Sequence, residues 1–156
     1  MIGPGVRAAA LALLVAASAF AEDGVRPLTI VTADGRRVFF EVEVADTPKE
    51  RALGLMYRRE LAANRGMVLW YPRAASVSIW MKNTYVPLDI VFIDESGTIT
   101  RIHPDAVPLT ETGIPSRGPA RAVLEINAGL AERLAIAPGD RVVFPPYWPG
   151  PASRTE

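Results

Sequence analysis

Five residues in "SIWMKNTYVPLD" and "VLEIN" carry side chains that could hold a ligand or move a proton: Trp80, Lys82, Asn83, Asp89 and Glu125. On strand alternation Val77, Ile79 and Met81 share one face, while Ser78, Trp80 and Lys82 share the other. The aliphatic set is the natural core face, which leaves the Trp80 ring beside the Lys82 ammonium on the polar side. A flat indole there can stack on a sugar or another planar ligand while the ammonium meets an anionic group. The competing reading makes Trp80 the centre of a second small core, covered by the segment from Pro104 to Ala120. Asn83, Thr84 and Pro87 form a connection whose backbone amides need acceptors, and Asp89 stands where its carboxylate can accept them. Its functional alternative is a general base or a ligand acceptor. Glu125 lies among apolar neighbours in "RAVLEIN", and a half-buried carboxylate needs a partner, with Arg121, Lys82 and Arg51 as the candidates. If Asp89 and Glu125 faced each other across a groove, they would form the carboxylate pair of a glycoside hydrolase.

Other chemistries lack their residues. The chain has no Cys and a single His, His103, so thiolate and two-His metal sites are excluded and no cofactor is expected. Ser116 in "GIPSRGP" is only a loose nucleophile candidate, because no Gly-x-Ser-x-Gly elbow surrounds it. A glycine-rich phosphate loop is also missing. Asp94 opens the "DESG" turn and reads as turn chemistry. With 17 basic and 17 acidic residues and no basic stripe, nucleic acid is not an expected partner. An unidentified small molecule or an envelope protein is.

The envelope enters through the N-terminus. "MIGPGVRAAALALLVAASAFAED" has a short n-region ending in Arg7, an apolar run of 13 residues from Ala8 to Phe20, and Ala19-Phe20-Ala21 as a small-x-small cleavage site. That is the pattern of a secretory signal peptide over residues 1–21, and the run falls short of the roughly 20 residues that a membrane span needs. The expectation is a periplasmic or secreted protein starting at Glu22, without stable membrane insertion once the signal is cleaved. Removing 21 of the 156 residues leaves 135, enough for one domain with a genuine core, and a hydrophobic share of 49% suits a folded chain. The single domain is expected over 22–145, followed by a Pro-rich flexible tail over 146–156.

The elements that must position the polar residues are mostly strands. Leu28 to Thr32 and Val38 to Val44 flank Asp34-Gly35, a hairpin signal. "DTPKERALG" predicts a short helix, with Thr47 as N-cap, Pro48 at the first position, Glu50 completing a capping box and Gly54 ending it. Met56 and Met67 read as core filling. "GMVLWYP", "SVSIWMK", "LDIVFID", "TITRIH", "RAVLEIN" and "RVVFP" read as further strands, and "AGLAERLAI" as a short amphipathic helix. The stretch "PDAVPLTETGIPSRGPA", Pro104 to Ala120, reads as a long loop that could form a lid. Many short strands with turn signals predict a mainly β fold, a small antiparallel barrel-like or sandwich domain with two short helices.

"ERALGLMYR", "RGMVLW", "IWMKNTYVPLDIVFID", "VLEINAG" and "PGDRV" occur in an order that resembles the domain of unknown function 192 family, over about Thr29 to Phe144. Local departures are Leu69-Trp70-Tyr71, where an aromatic often directly follows the aliphatic pair, and Arg121-Ala122, where a Lys-Tyr-like pair often stands. The resemblance implies a small, mostly β, often exported prokaryotic domain with no established activity. The residues favour non-catalytic binding of a small ligand such as a carbohydrate, or of a protein partner, near Trp80, with Lys82, Asn83 and Asp89 as polar contacts. A hydrolase using Asp89 and Glu125 as acid and base, and a purely structural interaction module, are the alternatives.

Overall fold

The computed structural model describes residues 24–145 and 148. The expected signal peptide, and the expected tail apart from Trp148, lie outside the described residues. β1 (Val25–Val31) and β2 (Arg37–Ala45) form the antiparallel hairpin, with Gly35 at a φ of 83° in its turn. β2 then runs parallel to β3 (Arg65–Ile79), so the chain must cross over between them, and α1 (Pro48–Leu53) lies in that crossover. The helix starts as the capping box dictates: Thr47 Oγ1 accepts the Glu50 N–H, and the Glu50 carboxylate accepts the Thr47 N–H. β4 (Leu88–Ile93), β5 (Ile99–Ala106), β6 (Ile114–Asn127), α2 (Leu130–Arg133) and β7 (Arg141–Val143) follow.

The strands make one seven-stranded sheet in the order β5-β4-β6-β3-β2-β1-β7. Every adjacent pair is antiparallel except β2 and β3. The sheet curls into a half-barrel whose two edges meet at one end: Thr98 bridges Arg141, Ile99 N–H donates to Asp140 O at 2.8 Å, and Val142 N–H donates to Gly97 O at 2.8 Å. Gly97 is required at this seam, since its φ is 84° and a Cβ there would lie 2.7 Å from the Val142 carbonyl oxygen. The mainly β, barrel-like expectation holds, with one parallel pair where a wholly antiparallel sheet was expected.

Two element boundaries differ from those predicted. "GMVLWYP" and the first four residues of "SVSIWMK" belong to one 15-residue strand, β3, which ends at Ile79 and is kept continuous by an irregularity in which residues 71–74 face only Arg121 of β6. Pro72 and Arg73, which break the sequence pattern, are exposed there, where a missing N–H costs the ladder nothing. Most of the predicted long loop is also strand. β5 extends to Ala106 and β6 begins at Ile114, so only 107–113 connects them and there is no 17-residue lid. Prolines in this stretch mimic a loop signal, yet Pro115 and Pro119 pair with Ser78 and Ser76 in the irregular outer half of β6.

Both faces of the central strands are covered. Leu28, Ile30, Phe40, Val42, Val68, Val91 and Leu124 fill the barrel side, where Trp70 packs edge to face with Phe144 at 5.0 Å and Trp148 at 5.9 Å, and Phe144 and Trp148 meet at a tilt at 4.9 Å. Leu55, Met67, Leu69, Ile79, Met81, Ile90, Phe92 and Val123 form a second core on the outer side, under the crossover and the connections around Val86. Met67 therefore is core filling, while Met56 is half-buried. β4 is buried at all six positions, as a strand with two covered faces must be.

Candidate functional site

Glu125 is the outlier of the outer core. It pairs with Met67 of β3 and Ile90 of β4, between two strands of apolar residues, and is only 5% exposed. Its Oε2 atom is buried without a hydrogen-bond partner. Burial alone pushes its carboxyl from 4.5 up to about 7. None of the three expected ion-pair partners reaches it. Arg51 Nη1 donates to the carbonyls of Asp46 at 2.5 Å and Trp70 at 2.8 Å, Arg121 turns to Glu95 at 3.5 Å and to the Tyr71 carbonyl, and Lys82 lies 3.8 Å from Glu111. The expected ion pair is thus replaced by an orphaned carboxyl, because each cation has a nearer backbone or surface acceptor.

That carboxyl forms the floor of a cleft of about 220 Å³ between the crossover and the end of β3. Gly54 closes one wall, where a Cβ would lie 3.7 Å from Glu125 Oε2. Tyr71 forms another, with the Arg51 guanidinium 5.0 Å above its ring. Burial raises the Tyr71 hydroxyl above the ordinary phenol range, against the opposing pull of Arg51. Trp80 stands at the mouth, 46% exposed, so the segment after Pro104 does not cover it. Lys82 Nζ lies 5.0 Å over the Trp80 ring and does not line the cleft.

The remaining sequence candidates lie elsewhere. Asn83 takes the left-handed conformation that Asn tolerates, with φ 53°, and its backbone carbonyl and side-chain amide bond the Tyr57 N–H at 2.8 Å and hydroxyl at 2.9 Å. It ties the connection after β3 to the exit of α1 and does not line the cleft. Asp89 is fully buried, and its carboxylate accepts three backbone N–H groups, from Asp105 at 3.1 Å, Gly129 at 3.1 Å and Ala131 at 2.9 Å. It is an acceptor for backbone amides, as its structural reading has it, but those amides belong to β5 and the start of α2 rather than to the 83–87 connection. A ligand contact at Asp89 is corrected accordingly, since its oxygens are enclosed and engaged.

The register also corrects the acid and base pair. Asp89 pairs with Ile126 and Glu125 with Ile90, adjacent positions on neighbouring strands. Successive strand residues point to opposite faces, so the two carboxyls lie on opposite sides of the sheet. They cannot flank one bond.

Arg51, Gly54 and Tyr71 enter the site without having been picked out for it, Arg51 having been considered only as a counter-ion. A signal for Tyr71 exists in the alternation of Met67, Leu69 and Tyr71 on one face of β3. Ala122, by contrast, faces the barrel core, so that position of the Arg121-Ala122 departure falls on the side away from Glu125.

The chain is similar to two solved structures. A Sinorhizobium meliloti 1021 protein proposed to be a transcription regulator is 47% identical, with a TM-score of 0.74 over 75% of this chain and 91% of that one. A protein of unknown function from Novosphingobium aromaticivorans DSM 12444 is 43% identical, with a TM-score of 0.72 over 77% of this chain and 85% of that one. No curated protein matches the chain. Residues 29–144 match the family model described as DUF192, Uncharacterized ACR. This chain belongs to the domain of unknown function 192 family.

Proposed function

We propose that this domain is a non-catalytic binder, exported to the periplasm, that holds a small hydroxyl- or amine-bearing ligand in the cleft between Trp80 and Glu125. The observation that carries the reading is the buried, unpartnered Glu125 Oε2 at the cleft floor. An orphaned carboxyl in a low-dielectric site costs free energy until a donor reaches it, and a ligand hydroxyl or ammonium supplies that donor. Trp80 at the mouth offers a flat apolar face, and a donor-rich ligand with one apolar face is the chemistry of a small carbohydrate. The cleft volume of about 220 Å³ lies below the roughly 300 to 1,000 Å³ of drug-sized sites, which favours a single sugar ring over an oligosaccharide. Transcription regulation, the role proposed for the Sinorhizobium protein, gains no support from a chain with 17 basic and 17 acidic residues. The test is calorimetric titration of monosaccharides and amino sugars into the wild-type chain and into Trp80→Ala and Glu125→Ala. Saturable binding that both variants weaken by tenfold or more is expected. Binding indifferent to both substitutions, or none by any sugar in the series, would overturn the reading.

A further inference from the structure

A separate groove of about 940 Å³ runs between β5 and the outer half of β6 and shares no lining residue with the Glu125 cleft. Strand alternation puts Arg101 and His103 on one face of β5, which is an edge strand apart from its seam contact. Arg117 comes from β6, at the irregularity where residues 116–118 face only Val77 of β3. Its φ of 57° is a left-handed value that an arginine rarely adopts, and the irregularity aims the side chain into the groove beside the other two. Among the described residues, none of these three basic groups has a carboxylate partner. The two carboxylates that line the same groove are engaged: Asp94 Oδ1 accepts the Ser96 and Thr98 N–H groups, and Glu95 pairs with Arg121.

The donors are specific. Arg101 Nη1 donates to the Pro115 carbonyl at 2.5 Å, and its Nη2 lies 3.4 Å from His103 Nδ1. A guanidinium can only donate, so Nδ1 is the acceptor and the imidazole proton sits on Nε2, free for a ligand. Partial burial, then Arg101 and Arg117, hold the His103 value down, in keeping with that neutral form. Three groups that can only donate, Arg117, the remaining Arg101 N–H groups and His103 Nε2–H, therefore line one concavity, and neither of its two carboxylates pairs with them. We propose that Arg101, His103 and Arg117 form an oxyanion-binding site that takes the phosphate or carboxylate group of a small ligand seated in this groove.

His103 is the only histidine, so its ring gives a single set of imidazole signals in the proton NMR spectrum of the untagged chain. Inorganic phosphate and, in a second series, citrate are titrated at constant pH and ionic strength, with chloride as the balancing ion. The expected result is a saturable shift of the His103 signals with at least one anion, weakened about tenfold by Arg117→Gln, partly restored by Arg117→Lys and unchanged by Lys49→Gln, an exposed cation outside the groove. The anion that saturates tells a phosphorylated ligand from a carboxylated one. A shift that stays linear with concentration, or that Arg117→Gln leaves intact, would overturn the proposal.

Discussion

Replacing Glu125 by Gln isolates the cost of burying its carboxyl. In the folded chain that carboxyl is pushed up to about 7 from an ordinary 4.5, by burial and by nothing else. A carboxyl raised on folding binds its proton more tightly in the native state. Between about pH 4.5 and 7 the native chain therefore holds more protons than the unfolded one, and stability falls as pH rises through that window. Below the window the contribution is fully present, and above it the contribution is lost. At about 1.4 kcal/mol for each pH unit, the difference between 4.5 and 7 amounts to about 3 kcal/mol. Gln fills nearly the same volume and does not titrate. Asp34, Glu43, Glu50 and Asp94, whose values are lowered, and His103, which is also lowered, titrate in both proteins and cancel in the comparison. Urea melts at pH 4.5 and 7.5 on both proteins measure the effect. Glu125→Gln should gain about 3 kcal/mol on the wild type between the two pH values. A stability difference constant to within about 0.5 kcal/mol would refute the claim that an unpartnered, buried carboxyl sits there.

Asp89→Ala leaves three backbone N–H groups without their acceptor, that of Ala131 buried and those of Asp105 and Gly129 partly so, and at about 1 to 3 kcal/mol for a buried donor a loss of about 2 kcal/mol or more is expected by chemical denaturation. A loss below about 1 kcal/mol would mean that water replaces the carboxylate readily. Trp80→Ala should cost no more than about 1 kcal/mol, since the ring is 46% exposed, whereas ~3 to 5 kcal/mol would mark it as core. Lys82→Ala should stay within about 1 kcal/mol, because its 3.8 Å pair with Glu111 is exposed; a larger loss would make the Lys82–Trp80 contact a structural brace.

Local physics made much of the fold legible from the residues alone. The Asp34-Gly35 hairpin and the Thr47–Glu50 capping box rest on interactions within a few residues, so the sequence carries them whole. Alternation likewise separated buried Ile79 and Met81 from exposed Trp80, although β3 ends at Ile79, because Met81 continues the pairing through its N–H to Thr110 O. Pro104 to Ala120 misled because proline statistics describe a local preference, while the irregular pairing of Pro115 and Pro119 with β3 is a long-range fact. The same division governs the candidate site. Residue type marked Trp80 and Glu125, and the carboxylate of Asp89 as an acceptor for backbone amides. Strand order and register decided that Asp89 and Glu125 point to opposite faces, that Tyr71, Gly54 and Arg51 enclose Glu125, and that each arginine or lysine expected to neutralise it finds an acceptor elsewhere. A carboxyl's partner is set by which strands become neighbours, and neighbours far apart in sequence are fixed only when the whole sheet closes.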